Sequence, residues 1–328
     1  MQASPDHDVR ITGFASYLPA TMHTNASLPP LDEPIAPAEL DRIGVVRRGW
    51  AGAGEGIAEM AVIAGRRALE RARVAAADLD FVILANWTQR RYLPDFAPAV
   101  KHMLGAGRAF AHDLGCACAG FLYGLGTAHE FLRNPRYRRG LVVASEHTAR
   151  RARPGSRGSL ILGDAAGAFV VERAAGSRPD HGGRLIDYEL AADGAHAAIM
   201  DIDDQGWVHT HLAQRELCAL AARSIAEVSA RLLARNQRAL GDVAWIIPHS
   251  GTAGVQAAIV RALDVPAARV LTNYADVGNV SSASIPVALD HFVTTGQVRP
   301  GDLVLSAAVG GGWYAAAALY TVGPAVAA

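Results

Sequence analysis

Two cysteines, Cys116 and Cys118, stand in the run Gly115-Cys116-Ala117-Cys118-Ala119-Gly120-Phe121. The run separates a short apolar segment from a long amphipathic one. A thiol at the start of a helix feels the positive end of the helix dipole and unpaired backbone N–H groups. That setting is expected to lower its pKa, and the thiolate is the nucleophilic form. The chemistry implied is covalent and runs through a thioester. His249 follows Pro248 at the end of an apolar run, the strand end where open α/β sheets place ligand sites. Cys116 and Cys118 lack a second ligand pair at zinc spacing, so no metal site is expected.

These residues need elements to position them, and the chain supplies them twice. The apolar run at 80–85 returns at 242–247, about 162 positions on, and 140–145 returns at 301–306, about 161 positions on. Between them lie a matching helix (95–104 and 254–263) and a small-residue turn that opens a second helix (114–132 and 275–292). A further strand closes each set, at 166–172 and 316–322. Longer helices at 57–74 and 215–237 precede them, the first with an apolar stripe through Ile57, Met60, Ala61, Ala64, Ala68 and Leu69. Continuous apolar strands alternating with helices imply sheets covered on both faces. The expected fold is an α/β duplicate, a five-layer α/β/α/β/α sandwich of two pseudo-twofold-related halves, 1–175 and 176–328. Adding 161 to Cys118 gives Asn279, so a nucleophile and an amide are expected to converge at the two central helix starts.

Composition narrows the chemistry further. The 328 residues are 51% hydrophobic and carry 31 basic and 31 acidic side chains, so no basic surface for nucleic acid is expected. Lys101 is the single lysine and no P-loop Gly-Lys-Ser/Thr is present, which disfavours Schiff-base and P-loop chemistry. Three cysteines and an N-terminus without signal-peptide character suit a reducing, cytoplasmic setting. The charge-free stretch from 306 onward reads as a strand with a glycine turn rather than a membrane span, because Gly310-Gly311-Gly312 and Pro324 interrupt it.

Four motifs in order then resemble the β-ketoacyl-acyl-carrier-protein synthase III group of the thiolase fold, over about 11–320. Cys116-Ala117-Cys118-Ala119-Gly120-Phe121 resembles the nucleophile motif Ala-Ala-Cys-Ala-Gly-Phe, which selects Cys118 over Cys116. Leu162-Gly163-Asp164-Ala165-Ala166-Gly167-Ala168 resembles Phe-Gly-Asp-Gly-Ala-Gly-Ala. Ile247-Pro248-His249 resembles the Val-Pro-His of the catalytic histidine, and Gly278-Asn279-Val280-Ser281-Ser282-Ala283-Ser284 resembles Gly-Asn-Thr-Ser-Ala-Ala-Ser.

The resemblance implies a thioester enzyme with Cys118, His249 and Asn279 as its catalytic residues. Acylation of Cys118 would place the oxyanion on the backbone N–H groups of Cys118 and Gly311. Decarboxylation of a malonyl thioester would leave an enolate, which two N–H donors from His249 and Asn279 suit; an Asp at 279 would repel it. Arg42, Arg157, Trp87 and Phe96 are the expected substrate-binding residues. Trp87 and Phe96 bound an aromatic and basic segment expected to shape acyl selection, its arginines meeting an acidic carrier. No tightly bound cofactor is implied: coenzyme A and acyl-carrier-protein thioesters are substrates, and a homodimer is expected.

Two departures from the family pattern stand out. Ser250-Gly251-Thr252 replaces Gln-Ala-Asn after the histidine, and Ala38 stands where a tryptophan would stack on adenine. Coenzyme A is therefore held weakly, or the donor is a carrier protein, and a specialised polyketide or lipid pathway is expected. The competing readings are a non-condensing acyltransferase using an alcohol, amine or thiol acceptor, and a non-catalytic partner subunit of a heterodimeric synthase.

Overall fold

Strand-forming apolar runs with no polar face must be covered on both sides, and the fold obeys that rule throughout. The computed structural model describes residues 8–91, 93–174 and 182–324; the expected junction at 175/176 lies outside them. In the N-terminal half the elements are β1 (Val9–Tyr17), β2 (Met22–Thr24), α1 (Pro37–Ile43), β3 (Arg47–Gly49), α2 (Ile57–Ala72), β4 (Phe81–Ala85), α3 (Ala97–Leu104), β5 (Phe110–Leu114), α4 (Gly120–Arg133), β6 (Arg139–His147), α5 (Arg157–Ile161) and β7 (Asp164–Arg173). The C-terminal half continues with β8 (Gly183–Ala192), β9 (Met200–Ile202), β10 (Val208–Thr210), α6 (Gln214–Arg235), β11 (Trp245–Pro248), α7 (Ala253–Leu263), α8 (Tyr274–Val277), α9 (Ser284–Thr294), β12 (Leu303–Gly310) and β13 (Tyr314–Thr321).

One ladder of nine strands runs β11-β12-β13-β8-β1-β7-β6-β4-β5. Among the described residues the halves join edge to edge through three β1–β8 pairs, Val9 to Leu185 through Ile11 to Gly183. Helix α4 contacts strands of both halves, among them β6 and β4 on one side and β8 and β13 on the other. Helix α9 likewise meets β1, β7 and β11. These two helices therefore form the middle layer, and their core includes Phe121, Leu125, Ile285 and Leu289. Helices α2 and α3 cover one outer face, and α6 and α7 the other. The five layers expected from the sequence are present.

The duplication is real, but its register differs from the expected one. β4 and β11, the one-turn helices Ala117–Ala119 and Ser281–Ala283, α4 and α9, and β6 and β12 each begin 164 positions apart, for example 117 and 281. Ala117 and Ser281 also share a left-handed backbone, with φ of 44° and 52°. The counterpart of Cys118 is thus Ser282, and Asn279 lies three residues before it. The offsets differ because an apolar run fixes a strand boundary only to within a few residues.

The short apolar segment before Gly115 is β5, whereas β1 and β8 lie outside the strands read from the sequence. β5 and β8 carry mostly half-buried residues, which blurs the apolar run that marked the central strands. The segment after 306 is the end of β12, a turn at 311–313, and β13. Among the described residues, no helix is long and apolar enough to cross a membrane.

Candidate active site

Cys118 sits in the one-turn helix Ala117–Ala119, immediately before α4. The residue before it, Ala117, is held in the left-handed region that a side chain disfavours. Such strain is retained where surrounding structure fixes it. Here the fixing contact is Gly310, the last residue of β12: a Cβ there would lie 2.6 Å from the Cys118 nitrogen and 3.0 Å from that of Ala119. Gly311 follows in the turn and lines the same cavity as Cys118. The turn is tied down by Trp313, whose indole Nε1 donates to Ser224 Oγ on α6 at 3.0 Å.

The cavity holds about 300 Å³ and is bordered by Cys118, His249, Asn279, Gly310 and Gly311. The structure therefore brings the three expected catalytic side chains onto one space. Residues of β9 and β10 (Met200, Val208 and Thr210) close one wall of it.

Asn279 is held by the opposite half. Its N–H donates to Ile161 O at 2.7 Å, and its carbonyl accepts from Gly163 N at 3.1 Å and Thr148 Oγ1 at 2.8 Å. Its side-chain Oδ1 accepts the Ser281 N–H at 2.9 Å. With the oxygen occupied, the Nδ2 amide is the end left to donate. Gly251 packs directly on that amide: a Cβ at 251 would sit 2.6 Å from Nδ2, and its φ of +68° is itself unfavourable for a side chain.

This resolves the departure after the histidine. Gly251 makes room for Asn279, and Thr252 Oγ1 caps α7 by accepting Val255 N at 3.3 Å. Gly251→Ala is expected to lower condensation by about tenfold or more while Cys118 still takes up an acyl group. Equal loss in both half-reactions, read by product formation and intact mass, would count against this account.

His249 is buried, with its N–H on Ala307 O at 2.9 Å and Nδ1 facing Ser284 Oγ at 3.0 Å. A hydroxyl donating to Nδ1 leaves Nε2 protonated in the neutral ring. Burial pushes the imidazole down to about 4. Because the neutral form persists above that value, condensation by pre-acylated enzyme should be flat between about pH 6 and 9. A fall below an apparent pKa near 6.5, measured by single turnover, would contradict a neutral donor.

Burial also overturns the expected low thiol pKa. Enclosure by protein pushes Cys118 up to about 11; the Ser281 hydroxyl counters this, and the negative Glu146 adds to it. Cys116 is pushed up to about 11 as well, chiefly by burial. Desolvation is the largest influence at both thiols. All three cysteines are free thiols. Among the described residues, no group of three or more His, Cys, Asp or Glu side chains is arranged to hold a metal ion.

The expected substrate-binding residues divide. Arg157 begins α5 at a second cavity that shares Gly158, Val208 and Thr210 with the first, so it stands at the mouth. There it pairs with Glu39 and, at 3.4 Å, with Glu33. Arg42 lies one turn beyond Glu39 on α1, exposed and outside the cavity lining. Phe96 does not border the Cys118 cavity. It is 3% exposed, in the outer core with α2 and α3, and the Arg91 guanidinium covers its ring at 4.2 Å. Its position at the start of α3 turns the ring inward. Trp87 is also absent from the lining, yet its Nε1 reaches Ser281 Oγ at 2.6 Å. Ser281, Ser284 and Glu146 escaped the sequence reading as site residues. The serine-rich stretch after Asn279 was the one signal for the two serines, and Glu146 had none.

Two family models match the chain. One describes 3-oxoacyl-[acyl-carrier-protein] synthase III over residues 112–194, the other its C-terminal part over 233–322. A β-ketoacyl-[acyl-carrier-protein] synthase III of Hyphomonas neptunium is 32% identical, covering 94% of this chain and 98% of that protein. One from Rhodobacter capsulatus is 34% identical, covering 92% and 95%. The crystal structure of the Aquifex aeolicus synthase III superposes with a TM-score of 0.88 at 31% identity, over 95% and 99% of the two chains. A priming β-ketosynthase of a polyketide pathway gives 0.87 at 27% identity, over 99% of each. With Cys118, His249 and Asn279 on one cavity and relatives 32–34% identical over more than nine-tenths of the chain, this chain belongs to the β-ketoacyl-[acyl-carrier-protein] synthase III family.

Proposed function

We propose that the protein is a condensing acyltransferase. Cys118 takes an acyl group from a coenzyme A or carrier-protein thioester and joins it to a malonyl thioester in a specialised polyketide or lipid pathway. One observation carries the choice of condensation: Asn279 borders the cavity shared with His249 and Cys118 and has its oxygen committed to Ser281 N, which leaves the amide nitrogen as its donor. Two neutral N–H donors favour an enolate oxygen.

In the first half-reaction the Cys118 thiolate attacks the acyl carbonyl, the donor thiolate leaves, and the cysteine's proton passes to it. The oxyanion is held by the N–H groups of Cys118 and Gly311. In the second, the malonyl carboxylate carbon–carbon bond breaks and carbon dioxide departs. His249 Nε2–H and Asn279 Nδ2–H hold the enolate oxygen. The carbanion attacks the Cys118 thioester, and collapse of the adduct returns the thiolate. The labour divides between residues 1–175, which supply the nucleophile, and 176–328, which supply both donors.

Arg157, at the cavity mouth, meets the donor's head, with Arg42 exposed on α1 beyond the lining. Arg157 is already neutralised by Glu39 and Glu33, and Ala38 offers no aromatic face, which supports a carrier-protein donor over free coenzyme A. Trp87, one hydroxyl away from the nucleophile, limits the acyl group. A homodimer is supported by β5, the last strand of the ladder, whose outer edge carries the exposed Phe110. A free-thiol enzyme acting on carrier thioesters suits the cytoplasm.

The test is intact mass after incubation with a panel of acyl-CoA and acyl-carrier thioesters, with Cys118→Ala as control, followed by malonyl carrier protein. An adduct discharged with carbon–carbon bond formation is expected. No adduct with any donor refutes the reading. An adduct that only an alcohol, amine or thiol discharges replaces it with simple acyl transfer. Acylation surviving in Cys118→Ala moves the nucleophile to Cys116.

A further inference from the structure

Ser281 meets the site in three directions. Its N–H orients the Asn279 amide at 2.9 Å, its Oγ lies 2.6 Å from Trp87 Nε1, and the same Oγ lies 3.3 Å from Cys118 Sγ. An indole N–H can only donate, so it occupies a lone pair of the Ser281 oxygen and leaves the single hydroxyl proton to be given elsewhere. The acceptor on that side is the Cys118 sulfur. A thiolate accepts such a bond far better than a neutral thiol, and the donation from Trp87 polarises the hydroxyl further.

The two donors of this chain, Trp87 and Ser281, come from different halves and are fastened by one buried carboxylate. Glu146, at the end of β6, accepts from Ser282 Oγ at 2.5 Å, from Thr88 Oγ1 at 2.8 Å, and from the Trp87 and Thr88 N–H groups at 3.3 Å each. It thereby clamps the loop after β4 to the turn before α9. We infer that Trp87 and Ser281 form a directional hydrogen-bond relay that stabilises the Cys118 thiolate, with Glu146 as the positioning residue that keeps the relay assembled. The need for such a donor is plain: burial holds the thiol up at about 11, and the Ser281 bond is the largest influence opposing it. The inference rests on Cys118 being the acylated nucleophile, but its test does not require turnover.

The probe is iodoacetamide, with alkylation of Cys118 followed by fragment-resolved mass spectrometry from about pH 7 to 11 in a Cys116→Ser background. Buried Cys218 serves as the internal control. Ser281→Ala is expected to cut the Cys118 alkylation rate at pH 8 about tenfold, the fall that a rise of about one pH unit in its midpoint gives, with the shift read from the rates below that midpoint. Trp87→Phe, which keeps an aromatic ring but removes the N–H, is expected to give a smaller shift of the same sign. The double variant should match Ser281→Ala alone, because Trp87 acts through the hydroxyl.

Glu146→Gln separates clamp from charge: removing a negative charge beside the thiol would raise reactivity, whereas loosening the relay lowers it. A lowered rate is expected. An unshifted midpoint in Ser281→Ala, additive effects of Trp87→Phe and Ser281→Ala, or a gain in Glu146→Gln would each overturn the inference. Thermal melts exclude variants that fail to fold. If wild type takes up no acyl group yet the midpoints move as stated, the condensation reading fails and the relay stands.

Discussion

Replacing His249 or Asn279 by alanine should stall the enzyme with its acyl group in place. Both side chains border the cavity but neither bonds Cys118 Sγ, whose recorded partner is Ser281. Acylation should therefore proceed near the wild-type rate in either variant, and intact mass should show the adduct. Condensation should fall by about 10²–10³-fold in each, the usual loss for one donor to a developing oxyanion. The double variant should lose less than the product of the two, since one enolate oxygen serves both. Asn279→Asp should behave worse than alanine: its first oxygen still accepts Ser281 N, and the second presents charge where an N–H is needed. Chemical quench after adding malonyl carrier protein to pre-acylated enzyme measures all of this. A variant that loses acylation and condensation together would place the residue in the first step instead.

The second large effect belongs to a residue with no side chain. Gly310→Ala should abolish acylation, with a loss of about 10³-fold or more, while the protein still folds. Its methyl would need to lie 2.6 Å from the Cys118 nitrogen and 3.0 Å from Ala119 N and Ala117 Cβ. These are backbone and short-chain atoms, so nothing flexible yields, and the nucleophile turn must shift away from β12. Gly311→Ala differs: its Cβ would meet nothing nearer than Met200 Cβ at 3.7 Å. A milder effect is expected there, since the Gly311 N–H survives the substitution. Equal acylation by the two variants would show that the approach of β12 does not hold the turn.

The motifs were legible because each is local. Cys118, His249 and Asn279 stand where a strand or turn hands over to a helix, and residue type and neighbours mark such places. The central strands were legible for a related reason, since Phe81–Ala85 and Leu141–Ala144 are buried on both faces and read as unbroken apolar runs. What joins the halves was not. The contact of Ser281 with Cys118 spans 163 positions and that of Glu146 with Ser282 spans 136, and no period or composition announces either. Glu146 is hidden by its setting: the apolar run at 140–145 stops at the charge, whereas β6 continues through it to His147. Phe96 failed in the opposite sense. An aromatic residue beside arginines looks like a ligand surface, and its burial became visible only once α3 was placed against α2.

The way Asn279, Ser281 and Gly310 cross to the opposite half bears on how the chain is made. During synthesis the cysteine emerges early, well before the serine beside it, the glycine that presses its turn, and the amide across the cavity. Until those later segments dock, the nascent chain carries an ordinary thiol with no donor at its sulfur and no strand against its backbone. The acyl-transfer site is thus assembled by topology only once residues 249–311 have been made, and a product terminated before them would carry an ordinary thiol without the cavity, the amide or the strand that make it a site.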